Sequence, residues 1–450
     1  MGRRVRVVVL NYNGGDHVVR CVDALAALDL RGHQDDVEAH EIEIVVIDNA
    51  STDGSVEAVL DRHPAVGLIQ TGSNLGFVAN NLGLRDLGDV DYVALVNNDA
   101  FVEPGWLTPL VDALDVDPGL GAVQSKILFA DRFVEIEMRA PADPAGRFDA
   151  REFGVQVHGV RVDGRDESGE FHLVDGADLR WTGAESIVRV PVVGELGPWQ
   201  VELSLSADRD KIVQLRPAAV DEGHMVEEAV GPDAHWVSVT VAGEPESVVN
   251  NVGTWLTVDG SGADRGWLEV DRGQYHRPAE IFAWCGAAVM LRPAYLDDVG
   301  LFDERLFLYY EDLDLAWRGR AQGWRYDLVP TSVVRHLHAA SSGPSSRAFR
   351  FHNERNRLVV LVKNGPFMFA CRSVLRHPLS TLSYLRRDVI GRLLDRRRPD
   401  WSIVRVRLAA EASFLRLLPG TMAQRRRLRR RRIHPTADFE SWVGRPDGPR

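Results

Sequence analysis

Short apolar runs rich in β-branched residues alternate with amphipathic segments over the first part of the chain. The runs VRVVVL at 5–10 and IEIVVI at 42–47 enclose a stretch, Val18 to Leu28, with apolar residues at helical spacing. A further run, YVALV at 92–96, follows a helical pattern around 80–87. Buried parallel strands have such near-continuous apolar runs, and helices connect them. The pattern predicts an open α/β sheet, in which ligands bind beyond the carboxyl ends of the strands.

The pattern changes to strict alternation over residues 133–248, in runs such as GVQVHGVRV, QVELSLS and HWVSVTVAG. Alternation with period two, broken by Asp, Gly and Pro, predicts an antiparallel β-sandwich inserted into the α/β fold. Helical and mixed patterns then return, and the last part alternates Arg with apolar residues. We expect an α/β part, the inserted sandwich, a second α/β part and a basic helical region, at 1–132, 133–248, 249–365 and 366–450.

The formal net charge of -12 is distributed unevenly. Residues 133–248 carry an acidic excess of about 13 charges, whereas residues 366–450 carry a basic excess of about 13. The basic region has three open interpretations: an amphipathic surface on anionic lipid, a nucleic-acid patch or a solvated face. Apolar residues interleave with Arg from Val404 to Leu418, which favours peripheral membrane contact. A nucleic-acid partner is not expected, because no recognition motif accompanies the charge.

Cysteine usage and the start of the chain bear on the compartment. Cys21, Cys285 and Cys371 are scattered and form neither a disulfide framework nor a zinc ligand set. The opening MGRRVRVVVLNYN is too short and strand-like for a signal peptide, and no apolar run approaches the roughly 18 residues of a spanning helix. We expect a cytoplasmic protein that contacts the inner face of the plasma membrane.

Polar residues follow each of the three predicted strands of the first part. The clusters are Asn11, Tyr12 and Asn13, then Asp48, Asn49 and Ser51, then Asn97, Asn98 and Asp99. Each cluster alone is typical of turns and helix caps. Three in series at one edge of a sheet indicate a binding crevice.

Six motifs follow one another along the chain, in the order VVVLNYNGG, VVIDNASTDGS, NLGFVANNLG, LVNNDAFVEPGW, GAAVMLRPAYLDDVGLFDE and YYEDLDLAWRGRAQGW. This ordered set resembles the family-2 glycosyltransferases with the GT-A fold, and among them the rhamnosyltransferase-like and galactofuranosyltransferase-like members. The resemblance covers about 5–132 and 249–365. It implies a Rossmann-like mixed sheet and a nucleotide-sugar donor, with Asp48 on the base or ribose. The implied donor pocket includes Asn11, Asn13, Asn74, Gly76, Phe77, Asn80 and Asn98.

The resemblance also implies a divalent metal, Mn²⁺ or Mg²⁺, held by a DxD-like motif. Here that motif is Asn97-Asn98-Asp99, so only the last carboxylate is present. Mg²⁺ commonly takes one or two carboxylates beside substrate oxygens, so Asp99 can suffice. The segment SVVRHLHAASSG supplies His336 and His338, either of which fits the metal-binding His of the family.

The acceptor hydroxyl needs a base, which in the family is the Asp of an ED motif. Glu311-Asp312 matches that motif, with Asp312 as the base. The other interpretation is a first helical turn whose acids complement the helix dipole. Arg318 either contacts phosphate or pairs with Asp314, and Arg355 lies in a segment, HNERNR, expected to pack the C-terminal helix or to approach phosphate.

The resulting functional hypothesis is an inverting, metal-dependent glycosyltransferase. It would move rhamnose or another hexose from a dTDP- or UDP-linked donor to a cell-envelope glycan or a lipid-linked acceptor. The alternative is a glycan-binding or scaffold protein built on an inactive transferase core, favoured by the missing first carboxylate of the metal motif. Trp181, Trp199 and Trp236 of the insert fit sugar stacking or, alternatively, the core of the sandwich.

Overall fold

The computed structural model describes residues 2–30, 39–146, 148–176, 180–218, 225–337, 346–431, 433, 439 and 442–445. Strands and helices alternate over its first part. The strands are β1 (Arg4–Asn11), β2 (Glu41–Asp48), β3 (Gly67–Gln70), β4 (Tyr92–Asn97) and β5 (Ala100–Val102). The helices are α1 (Gly15–Ala26), α2 (Ser55–Arg62), the 3-10 helix Phe77–Leu82 and α3 (Leu107–Val116).

The first four strands form the parallel side of a mixed sheet, in the order β3-β2-β1-β4. Asn11 lies opposite Asp48, and Leu10 lies opposite Asn97. The carboxyl ends of these strands therefore meet at one edge, as the alternation of apolar runs predicted. Val7, Val9 and Val96 are buried, because helices cover the sheet at these positions.

The next strands form the insert. They are β6 (Leu120–Arg139), β7 (Asp143–Gly146), β8 (Asp149–Phe153), β9 (Gln156–Val162), β10 (Arg165–Asp166), β11 (His172–Val174), β12 (Glu185–Val192), β13 (Trp199–Ser206), β14 (Lys211–Pro217), β15 (Val226–Val230), β16 (His235–Val241) and β17 (Glu246–Asn251). One sheet has the order β10-β9-β13-β16, and the other contains β11, β12, β6, β14 and β15. Their inner faces share one core, including Val160, Val188 and Leu203, so the predicted sandwich is present.

β6 belongs to both the α/β sheet and the sandwich. Its first half pairs with strands of the second α/β part, and its second half pairs with β12 over residues 132–139. The strand continues without a break across residue 132. The insert is therefore an extension of the central sheet.

The second α/β part completes the mixed sheet. It contains β18 (Thr254–Leu256), β19 (Gly262–Asp264), β20 (Ala279–Glu280), β21 (Ala288–Leu291), α4 (Pro293–Val299), α5 (Glu311–Ala321) and β22 (Arg325–His336). β21 lies between β4 and β6, antiparallel to both. β22 pairs with β5 so that His336 lies opposite Ala100, beside the end of β4.

The C-terminal region is helical, with α6 (Arg347–Asn364), α7 (Phe367–Tyr384), the π-helix Leu385–Gly391, α8 (Arg392–Leu394) and α9 (Ser402–Arg431). α6 and α9 pack together. Arg425 belongs to an arginine-rich run at 425–431. Its side chain is buried, and its Nη1 donates to the carbonyls of Val362 at 2.6 Å and Gly365 at 2.8 Å. Part of that run therefore caps the end of α6. Among the described helices, none combines the length and apolarity needed to cross a bilayer.

Candidate active site

The polar clusters after β1, β2 and β4 are joined by side-chain hydrogen bonds. Asn11 is fully buried, and its Nδ2 donates to Ser51 Oγ at 3.1 Å and to Ser55 Oγ at 2.9 Å. Asn98 Nδ2 donates to Asn11 Oδ1 at 3.1 Å. A Cβ at Gly14 would lie 2.4 Å from Asn11 Oδ1 and 2.5 Å from Asn98 Nδ2. The side chains at this edge of the sheet therefore form a tightly packed polar floor. Only glycine fits at position 14 beside it.

Asp48 and Asn13 lie at this same edge. Asp48 is 6% exposed, and its Oδ1 accepts a hydrogen bond from the backbone N–H of Ser51 at 2.9 Å. Asn13 is exposed in a left-handed conformation, φ 50°, and its Oδ1 accepts from the N–H of Thr52 at 2.8 Å. Both side chains therefore hold the loop after β2 as well as bordering the crevice.

Four residues of the expected donor pocket, Asn74, Gly76, Phe77 and Asn80, lie in one compact loop. Asn74 Oδ1 accepts from Gly76 N–H at 2.8 Å and from Asn49 Nδ2 at 3.0 Å. Asn80 is buried, and its Nδ2 donates to the carbonyl of Phe77 at 3.0 Å. These amides fix the backbone of the loop, which brings the sequence-predicted residues together beside β2.

A second loop, residues 305–310, presses on the first. Phe77 N–H donates to the carbonyl of Phe307 at 2.8 Å, and a Cβ at Gly76 would lie only 2.2 Å from that oxygen. Phe307, Tyr309 and Tyr310 all adopt left-handed conformations, with φ of 65°, 68° and 71°. Such conformations are outliers for bulky side chains, so the surrounding structure must hold this loop in place.

The side chain that holds the loop comes from α6. Asn356 is fully buried, and its Nδ2 donates to the carbonyls of Leu306, Leu308 and Tyr309 at 2.9, 2.8 and 2.7 Å. Arg355 Nη2 adds a bond to Leu306 O at 2.8 Å. Arg355 is therefore engaged with the loop backbone, which accounts for its burial without phosphate. The sequence analysis assigned the segment that contains Asn356 to helix packing and did not predict its contact with this loop, because an amide that serves backbone carbonyls leaves no sequence pattern.

The strained loop leads directly into Glu311 and Asp312 at the start of α5. Asp312 Oδ1 accepts from Leu313 N–H at 2.6 Å, and Oδ2 accepts from Gly286 N–H at 3.2 Å. Burial raises the pKa of Asp312 above its usual range. Glu311 is 5% exposed, and burial together with the charge of Asp312 raises its pKa well above normal. Among the described residues, Glu311 Oε2 has no hydrogen-bond partner.

The third acid of this motif, Asp314, has a structural role. Its carboxylate accepts from Arg318 Nε at 3.0 Å, from Lys363 Nζ at 2.8 Å and from Asn364 Nδ2 at 2.8 Å. The other nitrogens of Arg318 donate to the carbonyls of Val299, at the end of α4, and of Leu301 in the loop that follows. Of the two interpretations of Arg318, pairing with Asp314 is the one the structure contains.

Asp99 and His336 come together through the β5–β22 pairing. His336 Nε2 lies 3.1 Å from Asp99 Oδ1, His336 Nδ1 lies 3.2 Å from Asn250 Oδ1, and both ionisable residues are 6% exposed. Two ligands on adjacent corners of an octahedral ion lie about 3 Å apart, so this pair fits a divalent cation. His338 lies outside the described residues. Within those residues, no group of three or more His, Cys, Asp or Glu is arranged around a metal position.

Asp264 lies close enough to both Asp312 and His336 to feel their charges. Asn251 Nδ2 donates to Asp264 Oδ1 at 2.5 Å. The pKa of Asp264 is raised to about 6, because burial and the charge of Asp312 raise it by more than the Asn251 hydrogen bond and His336 lower it. The carboxyl keeps an exposed side, which places it in the crevice wall. Asp264, Asp312 and His336 therefore share one crevice, although no sequence motif marked Asp264.

The chain is similar in sequence to a known protein family. The sequence model of the family described as "Glycosyl transferase family 2" matches residues 6–156. The chain is a glycosyltransferase, and its residues 6–156 are similar to family 2. The family match and the mixed sheet together confirm the expected GT-A fold.

Curated relatives of this glycosyltransferase include the N-acetylglucosaminyl-diphospho-decaprenol L-rhamnosyltransferase of Mycobacterium tuberculosis, strains CDC 1551 / Oshkosh and ATCC 25618 / H37Rv. Each is 25% identical over 395 residues, which span 84% of this chain and 91% of the relative. Similarity at this level supports the enzyme class predicted from the motifs.

Two solved structures also resemble the glycosyltransferase. GalNAc-T7 with UDP, GalNAc and Mn²⁺ is 13% identical with a TM-score of 0.44, and the likeness covers 89% of this chain and 56% of that one. The mannosyltransferase PcManGT from Pyrobaculum calidifontis, in complex with GDP-Man and Mn²⁺, is 14% identical with a TM-score of 0.40, covering 92% and 88%. This chain thus spans little more than half the length of the GalNAc-T7 structure.

The insert's tryptophans have different environments. Trp199 is buried in the sandwich, and its Nε1 donates to the carbonyl of Val193 at 3.0 Å. Trp236 is 39% exposed, but the Arg161 guanidinium lies 4.0 Å from its ring centroid. Trp181 packs against Phe153 with ring centroids 5.2 Å apart. Core and surface packing account for these rings.

Proposed function

We propose that this glycosyltransferase moves a sugar from a nucleoside-diphosphate donor to an acceptor hydroxyl by a single inverting displacement. The observation that carries the proposal is Asp312, a partly buried carboxylate with a raised pKa that shares its crevice with the polar floor of the sheet. A single displacement requires one base, and attack from the face opposite the leaving group inverts the anomeric carbon.

The donor is proposed to bind across the carboxyl ends of β1, β2 and β4. Nucleotides bind at this position in open α/β sheets, because backbone and side-chain polar groups converge there. Asp48 would accept hydrogen bonds from the nucleoside. The remaining proposed donor contacts are Asn11, Asn13, Asn74, Gly76, Phe77, Asn80 and Asn98.

Asp312 is proposed to take the proton of the acceptor hydroxyl. Its raised pKa makes the ionised carboxylate a stronger base, and two backbone N–H groups keep it oriented. Glu311 is the second proposed catalytic residue. Its raised pKa favours the protonated form beside Asp312, which reduces repulsion between the two carboxyls.

Asp99 and His336 are proposed to hold Mn²⁺ or Mg²⁺, with His338 as a further candidate. A bound ion would neutralise charge on the departing diphosphate. The Asn250 side chain would fix the His336 ring from its other nitrogen, as partners of metal-binding histidines commonly do.

Mn²⁺ binding measured by electron paramagnetic resonance tests this proposal without requiring turnover. Asp99→Asn and His336→Gln should each weaken Mn²⁺ binding at least about tenfold, because each removes a direct ligand. Asp61→Asn, on the exposed side of α2, is the matched control and should bind Mn²⁺ normally. Unchanged binding in both site variants would remove the pair from the metal site.

The substrates are proposed from the rhamnosyltransferase relatives. We infer a deoxyhexose or hexose donor, rhamnose first, linked to dTDP or UDP, and a lipid-linked or cell-envelope glycan acceptor at the inner face of the plasma membrane. Screening nucleotide sugars for transfer and for metal-dependent donor hydrolysis tests this inference. Absence of both reactions across the panel would favour the inactive glycan-binding alternative.

Asp312→Asn tests the proposed base. Transfer should fall by at least about a thousandfold, because an amide cannot accept the proton, while nucleotide affinity measured by calorimetry stays within about twofold. The exposed Asp61→Asn variant should keep full activity. Substantial transfer by Asp312→Asn would assign the base to another residue.

A further inference from the structure

Large apolar side chains are exposed mainly in one stretch of the C-terminal helices. Of the 21 large hydrophobic residues exposed in the described part of the chain, 11 lie between Phe367 and Leu415. Scattered exposed apolar residues are normal on a protein surface, but such a concentration marks an interaction surface.

One face of α7 presents a row of these side chains. Met368, Leu375, Leu379 and Leu382 are 63%, 67%, 64% and 59% exposed. Their spacings of seven, four and three residues place them on one side of the helix. We call this set the α7 apolar face.

The opposite side of α7 is polar and buried. His377 is 1% exposed, with Nδ1 2.7 Å from Glu411 of α9 and Nε2 2.9 Å from Glu354 of α6. Thr381 Oγ1 donates to Glu411 at 3.0 Å, and Ser373 Oγ donates to the carbonyl of Asp259 at 3.1 Å. Phe369, Ala370 and Val374 also pack on the core. The buried side of α7 is therefore unusually polar for a surface helix, while its row of large apolar side chains points outward.

Arginines flank the α7 apolar face. Arg372, Arg376 and Arg386 are exposed on or beside it. Residues 367–416 contain eleven arginines and four acidic residues, an excess of seven positive charges. This combination complements an anionic lipid surface, because apolar side chains enter the interface while arginines reach phosphate groups. The same charge opposes the close approach of an identical face from a second copy.

The sequence placed the membrane contact elsewhere, at Val404 to Leu418. In the structure Val404, Val406 and Phe414 of that segment are buried, and only part of it, including Leu408 and Leu415, is exposed. The apolar residues that the sequence pattern suggested for lipid thus mostly hold α9 against the protein. The α7 apolar face is the more exposed surface.

We propose that the α7 apolar face docks on an anionic phospholipid bilayer, with the helix lying in the plane of the interface. α7 directly follows α6, whose Asn356 holds the loop leading to Asp312. Docking would therefore place the crevice close to the lipid surface. The inference goes beyond the proposed sugar transfer, and vesicle binding can be measured on the full chain without any substrate.

Co-sedimentation with phosphatidylglycerol–phosphatidylcholine vesicles tests the proposal. The double variant Leu375→Gln/Leu379→Gln should lower the partition coefficient more than about tenfold, because two inserted side chains become polar. Val193→Gln/Leu196→Gln is the matched control, since these insert residues are 66% and 68% exposed outside the basic region. Its binding should equal that of the unchanged chain.

The charge contribution is tested separately. Arg372→Gln/Arg376→Gln should lower binding to anionic vesicles about tenfold or more, and pure phosphatidylcholine vesicles should bind weakly from the start. Circular dichroism melting verifies that every variant is folded. Unchanged vesicle binding by Leu375→Gln/Leu379→Gln would overturn the proposal. So would sedimentation velocity showing a dimer that this variant dissociates, because the occupant would then be a second copy.

Discussion

Gly14 has an ordinary helical backbone, φ -81°, so only the space around its Cα explains a glycine at this position. In Gly14→Ala the new methyl group would overlap Asn11 Oδ1 and Asn98 Nδ2 and break the bond between them. We expect the KM for the donor to rise about tenfold with a smaller change in melting temperature, because the polar floor is displaced rather than the core. Steady-state kinetics with varied donor measure this effect.

Gly105→Ala is the matched control, since a Cβ at Gly105 meets nothing within 4 Å. A Gly14→Ala enzyme with unchanged donor KM would show that the donor does not use this floor. Gly15→Ala would not test the same contact, because a Cβ at Gly15 meets nothing within 4 Å and its positive φ of 49° would add backbone strain.

Single residues differ in how far sequence alone could locate them. Asn11, Asp48 and Asn98 were grouped correctly at one edge, because parallel strands align their carboxyl ends whatever the details of packing. Asp264 and Asn356 could not be placed in this way. Asp264 depends on where the chain returns after the insert, and Asn356 bonds to carbonyls 47 to 50 residues away.

Helix α6 stabilises the loop of residues 305–310, which leads into Glu311 and Asp312. Asn356→Ala would leave the carbonyls of Leu306, Leu308 and Tyr309 without their amide partner. Losing these bonds should cost about 2 kcal/mol of stability. The left-handed residues of the loop should then relax, which moves Glu311 and Asp312. We expect kcat to fall more than tenfold with little change in nucleotide affinity, measured by kinetics and calorimetry.

Asn353→Ala, one turn earlier on α6, provides the comparison. Its Nδ2 donates to the carbonyl of Phe349 within the same helix, at 3.0 Å, rather than to a carbonyl of the loop. Equal losses of kcat in the two variants would mean that α6 acts by general stability, and Asn356 would lose its positioning role. The sequence predicted that this segment packs the C-terminal helix or approaches phosphate through Arg355. It did not predict the role of Asn356, since the amphipathic pattern of α6 is the same whether or not one amide serves the site.

The strand β6 and an aromatic cluster join the insert to the α/β parts of the chain. His172 of β11 lies 4.8 Å from the ring of Phe129, 5.6 Å from that of Phe133 and 6.3 Å from that of Trp267. These rings come from both sides of the boundary near residue 133. A shared strand and a shared cluster predict that the insert and the α/β parts unfold in one transition, rather than as separate domains.

The pKa of His172 makes the stability of this aromatic cluster sensitive to acid. Burial, with a smaller contribution from the positive charge of Arg189, lowers the pKa of His172 to about 4. In the unfolded chain its pKa is about 6.5, so between these values the unfolded state binds the proton first. The stabilising effect of neutral His172 is therefore complete above about pH 6.5 and is lost as the pH falls toward about 4.

His172→Phe keeps an aromatic ring in the cluster and removes the titrating group. Between pH 7.5 and 5.0 the unchanged chain should lose about 2 kcal/mol more unfolding free energy than this variant, as calculated from the two pKa values. Urea denaturation at both pH values, followed by tryptophan fluorescence and circular dichroism, measures the difference. Because the cluster spans the boundary, both probes should report coincident transitions in each case. Equal losses in the two proteins would mean that other groups control the acid response, whereas separate transitions would show that β6 does not couple the insert to the α/β parts.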